Sequence, residues 1–177
     1  ALCAVTWGAM AGLAAASEPL VLGLYGERWA EVAPLLVWIA LAQTFFIAVP
    51  MQVDVGYLLG GWSRAIQLTL LDAILSLGIL VIAAQYGLWW AAFSRMIHGA
   101  IWWAIHAVFI QRLVRFGWGE LFAIYARTAI AAAAAALPLL LAYRFWVAPS
   151  EMGLGLLMIL SAAGVALWYG TLVAVRH

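Results

Sequence analysis

The chain has 177 residues, of which 69% are hydrophobic and 8% are charged. Soluble domains average about 45–50% apolar and about 25% charged, and a chain of this size buries only about 70% of the surface it exposes unfolded. A soluble globular fold is therefore excluded. The apolar content instead fills about six bilayer crossings of about 20 residues each.

The charges nearly cancel. Eight basic residues, all of them Arg, face seven acidic ones, for a net charge of +1. That excludes the concentrated basic patch a nucleic-acid binder needs, so no nucleic-acid partner is expected. Cys3 is the single cysteine, which excludes an internal disulfide or a cysteine metal cluster. No cofactor and no metal are expected. The chain starts at Ala1 inside an apolar run, without the charged segment and cleavage site of a signal peptide. The expectation is a fragment of a longer membrane protein with spans before residue 1.

Span one is expected over residues 1–24, with Glu18 and Pro19 interrupting its outer end. A linker with Glu27, Arg28, Trp29 and Glu31 follows, and Pro34 suits the first turn of a helix because its missing N–H costs nothing there. Span two is expected over 34–59 with a kink at Pro50, and Gly60 to Arg64 forms a turn. Span three covers 65–84, Gln85-Tyr86-Gly87 turns the chain, and span four covers 88–110. Trp118, Leu121, Phe122 and Tyr125 lie among charges between Gln111 and Arg127 and predict an interfacial amphipathic segment. Spans five and six cover 128–147 and 153–175. The expected fold class is an all-α integral membrane bundle of about six transmembrane helices, one helical domain over residues 1–177. Helices are required because open strands in lipid leave backbone groups unpaired.

Arginine placement gives an orientation. Arg64, Arg112, Arg115, Arg127 and Arg176 fall on one side of the spans, against Arg28 and Arg144 on the other. The positive-inside rule puts the first group, and both chain ends, in the cytoplasm.

Ionisable residues at membrane depth cost about 2.5–3.5 kcal/mol each on insertion scales, so each needs a reason. Span four carries Arg95, His98, Gly99, Trp102 and His106 on one helical face. Two explanations stand. Arg95, His98 and His106 form a cationic wall for an anionic substrate, or Arg95 snorkels or pairs with a carboxylate while the histidines bond neighbouring helices. Span three carries Asp72 with Thr69 and Ser76 on one face. The tight turn makes spans three and four antiparallel, which puts Asp72 about 10 Å from Arg95 along the axis. Asp72 is thus a candidate for a buried ion pair with Arg95 or for coupling to a proton or cation. Span two places Gln43, Pro50 and Asp54 on one face, with Gln52 on another, and Asp54 is a second coupling or ion-pair candidate. No metalloprotease, nucleophile-elbow or phosphate-loop motif occurs. No catalytic residue is assigned, and the expected class is a transporter rather than an enzyme. Gly8 and Gly12 form a G-x-x-x-G helix-packing pattern.

The linkers carry a further pattern. Glu18-Pro-Leu-Val-Leu-Gly-Leu-Tyr-Gly26-Glu-Arg-Trp29-Ala-Glu-Val-Ala-Pro34 resembles a stretch of bacterial polysaccharide (O-antigen) flippases, in which a helix end, a Gly, a charge and an aromatic precede a new helix. Gly61-Trp-Ser-Arg64 looks like that family's cytoplasmic turn. Tyr86-Gly87-Leu-Trp-Trp90 looks like its outer turn, with Trp90 where a second Gly is usual. The resemblance covers residues 1–115; residues 116–177 match only as two further spans. The family is the oligosaccharide exporters of the multidrug/oligosaccharidyl-lipid/polysaccharide flippase superfamily. It implies the C-terminal half of a transporter of 12–14 helices in the bacterial inner membrane, completed by an N-terminal helical half. It also implies a polyprenyl-pyrophosphate-linked oligosaccharide as substrate, a precursor of lipopolysaccharide or exopolysaccharide, moved by alternating access within membrane lipid. A drug/cation antiporter of the same superfamily and a membrane-embedded glycan polymerase or transferase are the alternatives. The Arg/His face of span four opposes the antiporter, because it repels cations.

Overall fold

The computed structural model describes residues 2–49, 58 and 62–175. Among them, six long helices form an all-α bundle: α1 (Leu2–Tyr25), α2 (Ala33–Ala48), α3 (Trp62–Ala84), α4 (Leu88–Val114), α5 (Trp118–Phe145) and α6 (Leu154–Ala174). Each is long and apolar enough to cross a membrane, α2 together with the 3-10 helix Glu27–Val32 that leads into it. A second short 3-10 helix, Pro149–Glu151, precedes α6.

The core of the bundle is α1, which packs on α2, α5 and α6. Next to α2 lies α4, and α3 sits at the edge, making its main contact with α4. Ala65 is the one buried residue of α3, and Leu70, Ile74, Leu77, Val81 and Ile82 are exposed. In lipid an apolar surface loses no hydrophobic stabilisation by leaving its neighbours, so polar contacts and close packing must hold an edge helix in register.

Three expected boundaries differ. Glu18 and Pro19 do not interrupt span one, because α1 runs unbroken to Tyr25. Proline at 19 deprives the Ala15 carbonyl of its i+4 donor. The Tyr143 hydroxyl of α5 supplies the missing bond, donating to Ala15 O at 2.7 Å. Tyr143→Phe is therefore expected to orphan that carbonyl and destabilise the protein by about 1–3 kcal/mol. Thermal unfolding of the intact protein in detergent measures it, and an unchanged midpoint would show that this hydroxyl does not compensate Pro19.

Span two was expected to reach residue 59, yet α2 ends at Ala48, where Val49 turns away at φ −120° and ψ 74°. A residue preceding proline is pushed out of the helical region by the ring. Pro50, Gln52 and Asp54 lie outside the described residues. The carbonyls at this end are met from other helices. Ile47 O accepts from Cys3 Sγ at 3.3 Å, and Ala48 O accepts from Tyr125 Oη at 2.7 Å. Trp7 Nε1 donates to Thr44 O at 2.9 Å.

The expected interfacial segment is also absorbed into its neighbours. α4 continues to Val114, Arg115 turns the chain at φ 58°, and Trp118 opens a single helix of 28 residues ending at Phe145. At 1.5 Å per residue that helix is about 42 Å long. It exceeds the hydrocarbon core of about 30 Å, so its first turns, with Glu120 and Trp118, reach the interface as part of a span.

Candidate functional site

The turn between α3 and α4 fixes which of their residues meet. Gly87 at φ 111° reverses the chain, a conformation that favours glycine. Counted from the ends of the two helices, Ser76 is 8 residues before Ala84 and Arg95 is 7 after Leu88. Asp72 is 12 before and His98 is 10 after. Helical rise therefore pairs Ser76 with Arg95 and Asp72 with His98, the latter about 15–18 Å from the turn, near mid-depth.

The structure shows both pairs and links them. His98 Nε2 lies 2.7 Å from Asp72 Oδ1. Arg95 Nη2 lies 3.0 Å from His98 Nδ1, and Arg95 Nη1 donates to Ser76 Oγ at 3.0 Å. A guanidinium can only donate, so Nδ1 must accept. The imidazole proton then sits on Nε2 and points at the carboxylate. This tautomer follows from the donors around the ring. A neutral imidazole thus separates one cation from one anion, and every bond in the chain has a donor and an acceptor.

The site is closed on the side of α2. His98 is 2% exposed, and the Asp72 side chain is 29% exposed. The Phe46 ring of α2 lies 5.3 Å from both the His98 ring and the Trp102 ring. Gly99 lets α2 approach this closely. A Cβ there would stand 3.1 Å from Phe45 Cβ and 3.2 Å from Ala42 O.

The expected candidates therefore divide. Arg95, His98 and Asp72 come together, with Ser76 as a fourth member. The expected Asp72–Arg95 pair is mediated by His98 rather than direct. His106 does not join them. Its Nδ1 lies 2.9 Å from Trp102 O, one turn back on its own helix, and its ring stacks on Trp102 at 4.3 Å. Thr69 likewise bonds back to Ala65 O at 3.0 Å. Asp54 lies outside the described residues. Phe46, which walls the imidazole, carries no polar signal in the sequence and was missed.

The assembly can do two things chemically. It can hold a guanidinium at membrane depth without net charge, and it can take up a proton. A proton reaching Nδ1 requires Arg95 to leave, because the guanidinium occupies that lone pair. Compared as a whole, the chain matches no family model, no curated protein and no solved structure.

Proposed function

We propose that the chain forms part of a flippase that moves a polyprenyl-pyrophosphate-linked oligosaccharide across the bacterial inner membrane by alternating access. The observation that carries this is the Asp72–His98–Arg95 relay at mid-depth between an edge helix and the bundle. A pyrophosphate has the bidentate oxygens a guanidinium prefers, and it competes with His98 for Arg95. Once Arg95 turns to the anion, Nδ1 of His98 is free to take a proton. Substrate binding and protonation then favour each other, and linkage makes that coupling reciprocal. Asp72 stabilises the resulting imidazolium from the other side. The excess of Arg at the α4–α5 end supports a cytoplasmic orientation of that end and of both termini. A further helical half of the same protein completes the cavity in this proposal.

Arg95→Ala in the intact protein is expected to lower polysaccharide export about tenfold or more, the value of a charge-assisted hydrogen bond. Export is measured as cell-surface polysaccharide in a deletion strain, with membrane-inserted protein quantified alongside. Normal export by a stably inserted Arg95→Ala protein would remove Arg95 from the mechanism. Unchanged export in the deletion strain itself, with altered resistance to cationic drugs, would point to the antiporter instead.

A further inference from the structure

The relay is not the only feature of the α3–α4 seam. At its other end, toward the N-terminus of α3 and the C-terminus of α4, lies a groove of about 640 Å³. Arg64 stands on one side of its mouth and Arg112 on the other, with Ser63 and Gln67 beside Arg64. Its deeper walls are apolar, formed chiefly by Leu68, Leu71, Ile105 and Phe109. Both arginines are exposed, and neither has a hydrogen-bond or ion-pair partner among the described residues.

Among the described residues that line the groove, the charges are arranged without an anion. α3 has no acidic residue in its first turn, where a helix prefers one, and carries Arg64 there instead. The helix N-terminus and Arg64 add positive potential on the side that Arg112 faces. Below them the groove turns apolar and opens outward along both helices, with Leu71 of α3 43% exposed and Val108 of α4 40% exposed. A free anion would use the mouth and leave the apolar walls empty. A neutral lipid would fill the walls and leave both guanidiniums unmatched. One ligand class meets both: a phosphate on a hydrocarbon chain, held at the depth where headgroups lie.

We propose that this groove binds an anionic phospholipid of the surrounding bilayer, with its phosphate between Arg64 and Arg112 and an acyl chain along Leu68, Leu71, Ile105 and Phe109. Basic pockets between membrane helices suit such headgroups. The inference does not depend on the transport reading. It assigns a lipid site to the same seam, whose lining residue Leu71 directly precedes Asp72 in the chain. Lipid in the groove fills the gap between α3 and α4, so it stabilises the edge helix that the relay also holds.

Native mass spectrometry of the intact protein, released from micelles containing phosphatidylglycerol or phosphatidylcholine, tests this. The wild type is expected to retain phosphatidylglycerol preferentially. Each of Arg64→Gln and Arg112→Gln is expected to reduce that preference about fivefold, and the double variant about thirtyfold. Arg144→Gln, at the opposite end of the bundle, should leave it unchanged and controls for net charge. Val108→Trp, which crowds the apolar wall without touching a charge, should lower retention of either lipid. Equal retention of both lipids by the wild type would overturn the proposal, as would an undiminished preference in a folded double variant. Displacement of phosphatidylglycerol by millimolar inorganic phosphate would overturn it in favour of a free-anion site. Displacement by equimolar polyprenyl pyrophosphate would overturn it in favour of a substrate site.

Discussion

Arg95→Gln and Asp72→Asn are each expected to destabilise the intact protein by about 2–3 kcal/mol, and the double variant by clearly less than the sum. The reason lies in what each change leaves behind. Gln at 95 can still donate to His98 Nδ1, and Asn at 72 can still accept from Nε2–H, so both bonds to the imidazole survive, while the bond to Ser76 Oγ is given up. What is lost is one of two charges that balance each other across the ring. Removing one partner of a buried pair costs about 3–5 kcal/mol because the other charge stays uncompensated. The 29% exposure of the Asp72 side chain puts this site at or below the low end of that range. The double variant is a neutral chain that keeps a donor and an acceptor on either side of the imidazole. His98→Leu has no such escape, since it strands both ions, and it should be the most damaging single change of the three. His98→Gln keeps the polarity, with its amide N–H toward Asp72 and its carbonyl toward Arg95, and should be the mildest. Denaturant titration in detergent, followed by tryptophan fluorescence, reads all of these. Strictly additive costs at 72 and 95 would show that His98 does not transmit between them. Hydrogen exchange should rise first along α3, whose main contact is α4.

Much of this site was within reach of the sequence, and the shortfall has a specific cause. Composition and span length alone determine six apolar helices, and Gln85-Tyr86-Gly87 makes α3 and α4 antiparallel neighbours. Counting from that turn puts Asp72 beside His98. Matching the cation directly to the anion overlooked the imidazole between them. Periodicity placed His106 on the face of Arg95 and His98, which is true of its position. A shared face does not say which neighbour lies opposite, and eight residues further on His106 finds its own backbone carbonyl at 2.9 Å. Pro19 was read as an interruption because its cost is local and visible. The remedy, Tyr143 at 2.7 Å from Ala15 O, comes from a residue far along the chain. The early end of α2 shows the reverse. Val49 before Pro50 was a legible stop signal, and the apolar run through it suggested continuity.

Glycine gives the second large effect, and it separates positions that a motif treats alike. Gly164→Val is expected to destabilise the protein by about 3 kcal/mol, the upper end for overpacking, and to lower its accumulation in the membrane. A Cβ at 164 would run into the carbonyl oxygen of Ala135 on α5. Backbone cannot rotate aside as a side chain can, so α5 and α6 must separate. That separation spreads, because α6 also closes on α1 through Trp168 Nε1, which donates to Ala4 O at 3.0 Å. Gly8 faces the same indole. A Cβ there would stand 2.6 Å from Trp168 Nε1, so Gly8→Ala should cost less than Gly164→Val but must move a hydrogen-bonded ring. Gly12, the second glycine of the G-x-x-x-G pattern, meets nothing within 4 Å, and neither does Gly170. Alanine at either should be neutral or slightly stabilising, since alanine favours the helix by about 1 kcal/mol over glycine. Thermal midpoints of the four variants in detergent give the order. If Gly164→Val unfolds no earlier than Gly12→Ala, the close approach of α5 and α6 is not what glycine at 164 provides. Close approach is what packs apolar helices where lipid removes the hydrophobic drive. Gly164 and Gly8 then hold α6 on α5 and α1, while the polar relay holds α3 on α4.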